Sequence, residues 1–112
     1  MDCLFCRIVA EEIPAKVVHE SDAVLAFRDV NPQAPTHILL IPKEHVVSAA
    51  DLEKEHDGVL GELFRTAAHL ARAEGLSKGW RLVTNVGPDA GQSVAHLHFH
   101  LLGGRGLGWP PG

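Results

Sequence analysis

Nowhere does this sequence carry a run of lysine or arginine long enough to track a nucleic-acid backbone. Direct nucleic-acid binding is therefore not expected, and any phosphate-bearing ligand should be small and held in a pocket. A charged n-region followed by an apolar h-region is also missing, as is any apolar run of membrane length. The apolar residues 38–41 suit a buried strand instead. No membrane partner is expected, and the expected location is cytoplasmic. Cysteine is nearly absent: Cys3 and Cys6 are the only two. Two residues between thiols is a poor spacing for a structural disulfide, and a good one for half a zinc site or a redox pair.

What is present fits one domain over residues 1–112, with 46% hydrophobic and 21% charged residues, enough to build a core. A chain this short leaves much of its surface uncovered, so self-association is expected. The first dozen residues read as a short helix ended by Ile13 and Pro14. Residues 16–19 and 23–28 read as strands joined by a turn at 20–22. A proline-punctuated loop over 29–35 leads into a strand from Thr36 to Ile41. From about Leu52 to Glu74 the period changes: Leu60, Leu63, Phe64, Ala67, Leu70 and Ala71 share one helix face, and Gly75 can cap it. Strands are expected over 80–86 and 94–102, with a glycine-bearing loop between. The fold class is α+β: an antiparallel sheet of about five strands, one long helix covering one face, and a short N-terminal helix. The tail from Gly103 to Gly112 cannot be regular structure, and Trp109 within it needs something to pack against.

The most unusual count is histidine, eight in all, with three at 96, 98 and 100. On a strand, Ala95, Leu97, Phe99 and Leu101 point to one face, and His96, His98 and His100 to the other, about 6.6–7 Å apart. Thr, Lys or Glu would serve a solvated face equally well without gathering titrating groups. Adjacent imidazoles disfavour one another's protonation, which keeps a neutral ring available as nucleophile or metal ligand. A single metal bound by all three, as in a metal-dependent oxidase, is awkward because i and i+2 side chains run parallel, and no carboxylate stands beside them. A nucleophile flanked by helpers fits better, with His98 in the middle. Just before it, Gly91, Gln92 and Ser93 offer backbone N–H groups and a hydroxyl suited to a phosphate.

Residues 96–102 (HLHFHLL) match His-φ-His-φ-His-φ-φ at every position, φ being apolar, and the sequence thereby resembles the histidine-triad family. The match extends through residues 34–37, 41–45, Asn85, 91–93, 103–105 and 109–112. The Gly-Gln-Ser loop and Trp-Pro-Pro-Gly end resemble the nucleoside phosphoramidase branch of histidine-triad nucleotide-binding proteins. The dinucleoside polyphosphate hydrolase branch fits less well, as does the uridylyltransferase branch, whose last triad histidine is glutamine.

The resemblance implies a purine nucleoside 5′-phosphoramidate hydrolase whose His98 attacks the α-phosphorus, forming a nucleotidyl-histidine that water resolves to the monophosphate. It implies that His100 and Ser93 contact the phosphate and that His37 orients His98. Asp29 would hold the ribose hydroxyls, and Leu4, Phe5, Phe27 and Val30 would wall the base pocket. Asn85, Gly91 and Gln92 would complete the phosphate end. Read without the resemblance, Phe27 and Val30 fit plain core, Asp29 a turn, Asn85 a loop cap and His37 a satisfied buried histidine. Some members that keep Cys-x-x-Cys hold a structural zinc, which here would use Cys3, Cys6, His45 and His96 and is not required for the chemistry. A two-fold dimer is implied, with joined sheets, packed long helices and the tail reaching the partner's site. A purine-nucleotide-binding interaction module is the competing reading.

Overall fold

A computed structural model describes residues 3–112; the first two residues of the expected N-terminal helix lie outside it. The elements are α1 (Leu4–Val9), β1 (Val17–Glu20), β2 (Val24–Arg28), β3 (Thr36–Pro42), α2 (Asp57–Ala73), β4 (Trp80–Val83) and β5 (Phe99–Gly103). The strands form one antiparallel sheet ordered β1-β2-β3-β5-β4. The expected α+β class and strand number hold.

The sheet is covered on both faces rather than one. Val24, Ala26, Ile38, Leu40 and Leu101 pack toward α2, while Leu25, Phe27, Leu39 and Ile41 pack with Cys3 and Phe5 of the N-terminal segment. That is why β3 is buried at every position and reads as an unbroken apolar run instead of alternating. Covering both faces places α1 over the same strands that carry the histidines.

Four boundaries among the described residues differ from the sequence expectation by three residues or more. α1 stops at Val9, well before Pro14, because Glu11 turns left-handed (φ 61°) and closes a C-cap: Glu11 N–H donates to Ile8 O and Glu12 N–H to Arg7 O. α2 starts at Asp57, not Leu52, because Glu53 to His56 form a separate capped turn in which the Glu53 N–H donates to His56 Nδ1. Its end is as expected, with Gly75 at φ 73° and the Leu76 N–H returning to Ala71 O. β4 ends at Val83, and β5 starts at Phe99 instead of residue 94. Residues 94–98 leave the ladder: Leu97 N–H donates to Val46 O, and Thr84 Oγ1 to His98 O.

Along α2, Leu63, Ala67, Leu70 and Ala71 are buried as expected, yet Phe64 is 54% exposed while its ring meets Phe99 edge-on. Trp109 is 82% exposed, with the Arg81 guanidinium 6.0 Å from its ring centre. Among the described residues, no helix is long and apolar enough to cross a membrane.

Candidate active site

Between α1, the end of β2 and β5 lies a cavity of about 300 Å³. Leu4, Phe5 and Phe27 supply apolar walls, Asp29 and Val30 stand on the loop leaving β2, and Ser93, His98 and His100 enter from the other side. A larger groove of about 670 Å³, lined by residues 75–81 and 104–107, contains none of the histidines. Phe27 is both core and wall. Val30 is fully exposed, which excludes a core role. Asp29 serves a turn, accepting the Asn31 N–H on Oδ1, while its Oδ2 lies 3.4 Å from His37 Nε2.

Backbone groups decide which nitrogen of each ring carries a proton, because a carbonyl only accepts and an amide N–H only donates. His98 Nδ1 lies 2.7 Å from the His96 carbonyl, so Nδ1–H donates and Nε2 keeps its lone pair. Phe5 packs edge-on to this ring, at 5.1 Å between centres. His37 Nδ1 accepts the Gln33 N–H at 3.0 Å, so its proton sits on Nε2 and faces His100 Nδ1 at 2.9 Å. His100 therefore carries its own proton on Nε2. The expectation that His37 orients His98 is corrected: His37 orients His100, and the His96 carbonyl orients His98.

His37 and His100 are held neutral. Burial, then the neighbouring His98 and His37, lowers His100 from 6.5 to about 4. Burial also lowers His37, against the pull of Asp29. His98 thus presents the nitrogen opposite its bonded Nδ1–H, and His100 an N–H, and both side chains line the cavity.

The loop before the triad is held by Gln92 rather than offering it. Its amide oxygen accepts the Gly87 N–H, and its nitrogen donates to the carbonyls of Val47 and Val94. The Gln92 side chain thus holds the loop and does not line the cavity. Gly91 adopts φ 83°, a conformation that closes this loop. Neither Gly91 nor Asn85 lines the cavity, so of the expected phosphate end only Ser93 and the histidines do.

His96 faces away from this chemistry. Its Nε2–H donates to the Pro42 carbonyl at 2.8 Å, leaving Nδ1 toward Cys3 Sγ at 3.4 Å, Cys6 Sγ at 3.5 Å and His45 Nδ1 at 3.2 Å. Cys6 Sγ lies 3.2 Å from His45 Nδ1. A zinc tetrahedron has edges of about 3.3 Å between nitrogens and about 3.5 Å between nitrogen and sulfur. The four side chains fit that outline, and the Pro42 carbonyl fixes the ligating nitrogen of His96. Burial, then Cys3, pushes the Cys6 thiol up to about 11, an environment that a bound cation would relieve. Asp29, His37 and His100 also converge. There, however, the Gln33 N–H occupies His37 Nδ1, so a metal on Nε2 would require an imidazolate.

Three features escaped the sequence reading. Arg28 and Glu74 form a two-pronged ion pair (2.6 and 3.0 Å) that also takes the Thr36 hydroxyl, and the Arg28 hydrogen bond holds the Glu74 carboxyl below its ordinary value. His56 closes the capped turn before α2. Arg105 donates from Nε and Nη2 to the Gln33 carbonyl, at 3.1 and 2.9 Å. Only the capping spacing of Glu53 and His56 left a trace in the sequence.

Comparisons with known proteins agree with this geometry. The family model described as HIT domain matches residues 10–107. A 14 kDa zinc-binding protein of Brassica juncea is 50% identical over 99% of this chain and 100% of its own. The adenylylsulfatase HINT1 of Arabidopsis thaliana is 50% identical over 97% of this chain and 76% of its own. The crystal structure of a HIT family hydrolase from Legionella pneumophila superposes with a TM-score of 0.97, at 52% identity, over 99% of this chain and 100% of that one. By its histidine row, its fold and these relatives, the chain belongs to the HIT domain family.

Proposed function

We propose that this chain, acting as one domain, hydrolyses purine nucleoside 5′-phosphoramidates through a nucleotidyl intermediate on His98. The observation that carries the reading is the lone pair on His98 Nε2, fixed by the Nδ1–H bond to the His96 carbonyl. In the first step Nε2 bonds to the α-phosphorus, the P–N bond to the amine breaks, and the amine leaves with a proton. The Ser93 hydroxyl and the His100 Nε2–H are the donors that meet the phosphate oxygens and the departing group. In the second step water breaks the His98–phosphorus bond, releases the monophosphate and returns the proton. Leu4, Phe5, Phe27 and Val30 receive the purine, and Asp29 accepts the ribose hydroxyls.

Cys3, Cys6, His45 and His96 would hold zinc, which when bound supplies a structural cross-link between the N-terminal segment and the triad. The exposed Phe64, Trp80 on the open edge of β4, and Trp109 support a two-fold dimer. The Arabidopsis relative favours a second reading, in which the same His98 attack expels sulfate from an adenylyl sulfate.

The test is to incubate the protein and a His98→Ala variant with adenosine 5′-phosphoramidate and trap the intermediate for mass spectrometry. Wild type is expected to gain one nucleotidyl group on His98, and the variant none. Equal turnover by the two proteins would end the proposal. An intermediate formed only from adenylyl sulfate would favour the second reading.

A further inference from the structure

We infer that Arg105, outside the cavity, is a positioning residue that acts through the backbone of Gln33 to keep the proton of His100 on Nε2. The inference rests on the hydrolase reading of the cavity, and one arm of its test does not.

Gln33 is gripped at both ends. Its carbonyl accepts two N–H groups from the one guanidinium of Arg105, and its own N–H donates to His37 Nδ1. A planar guanidinium that places two donors on a single oxygen fixes the direction of that carbonyl, and with it the turn of the residue. Arg105 itself is anchored by Nη1 on the Gly106 carbonyl at 2.8 Å. The approach also depends on Gly104, which adopts φ 91° and where a Cβ would fall 2.9 Å from Pro35. A side chain there would lever the segment carrying Arg105 off the 29–35 loop.

What the grip controls follows from proton counting. With the Gln33 N–H on His37 Nδ1, the His37 proton must be on Nε2, and His100 Nδ1 must accept it. If the Gln33 N–H drifts away, only the Asp29 carboxylate, 3.4 Å from Nε2, still favours the Nε2 proton, and His37 gains a second form with its proton on Nδ1. Its Nε2 lone pair then faces the His100 Nδ1 lone pair, and His100 relieves the clash by moving its proton to Nδ1. The nitrogen left for the substrate then has no proton to donate. An exposed arginine thus sets the polarity of two imidazoles without touching either.

The experiment compares wild type with Arg105→Ala and Arg105→Lys. In the ligand-free protein, labelled at the histidine nitrogens, two-bond proton–nitrogen spectra report which ring nitrogen is protonated. Wild type should show Nε2–H for both His37 and His100, and Arg105→Ala a mixture of forms at both. With adenosine 5′-phosphoramidate, Arg105→Ala should lower kcat about tenfold, the loss expected for one charge-assisted hydrogen bond, with KM little changed. Arg105→Lys, which keeps a charged donor, should recover part of both effects. Unchanged tautomers in Arg105→Ala overturn the inference. Should wild type fail to turn over the phosphoramidate, the hydrolase reading falls while the spectra still decide the relay. If Arg105→Ala gives no folded spectrum, Arg105→Gln is read the same way, and unmixed tautomers there overturn it equally.

Discussion

Protonating His100 should cost this protein stability, and the amount follows from its surroundings. In the fold the ring is lowered to about 4 from an ordinary 6.5, by burial first and then by His98 and His37. Between those values the unfolded chain binds a proton that the folded chain refuses, so stability falls as pH falls through the window. For such a shift, going from about pH 7 to about pH 5 removes roughly 2 kcal/mol, and solvent reaching part of the ring reduces this to about 1 kcal/mol. Other titrating groups change over the same range, so the measurement is a difference. Urea unfolding of wild type and His100→Asn at both pH values isolates the contribution of this ring. Wild type should lose about 1 kcal/mol more than the variant on acidification. Equal losses, or a larger loss in the variant, would mean that the fold does not exclude a charge at this position. His100 would then be unsuited to its assignment as a neutral donor.

Two further outcomes are expected. Leu101→Ala empties a fully buried position that joins β3 and β4 to α2, and should cost about 2–5 kcal/mol in urea unfolding; a loss under about 1 kcal/mol would contradict the packing. Adding a strong chelator to zinc-loaded protein should lower Tm by at least about 5 °C and leave phosphoramidate turnover in place at low temperature. Cys6→Ser should show no such chelator effect, and an unmoved Tm in wild type would remove the metal assignment.

The long helix was legible because its apolar residues from Leu60 to Ala71 keep one period over about three turns and Gly75 ends it without strain. The end of α1 was not, since Glu11 takes a position at which the sequence reading would look for glycine. The three histidines were legible as a group, yet alternation alone assigned them one shared face. The chain departs from regular strand before Phe99, and this turns His96 to the thiols while His98 and His100 keep the cavity. Single-strand periodicity cannot register such a break, because its cause lies in Val46 and Thr84, distant in sequence. The partner of His37 was likewise set by Gln33 and by strand register, which places Leu39 opposite His100.

The segment of Cys3 and α1 carries two obligations at once. Cys3 caps the helix and Cys6 lies within it, while Leu4 and Phe5 between them wall the cavity. An engineer who trims Phe5 to admit a bulkier base would disturb the spacing of both sulfurs, and one who deletes the thiols would loosen the wall. Ligand preference and sulfur chemistry are therefore inseparable traits in this chain, to be altered together or not at all.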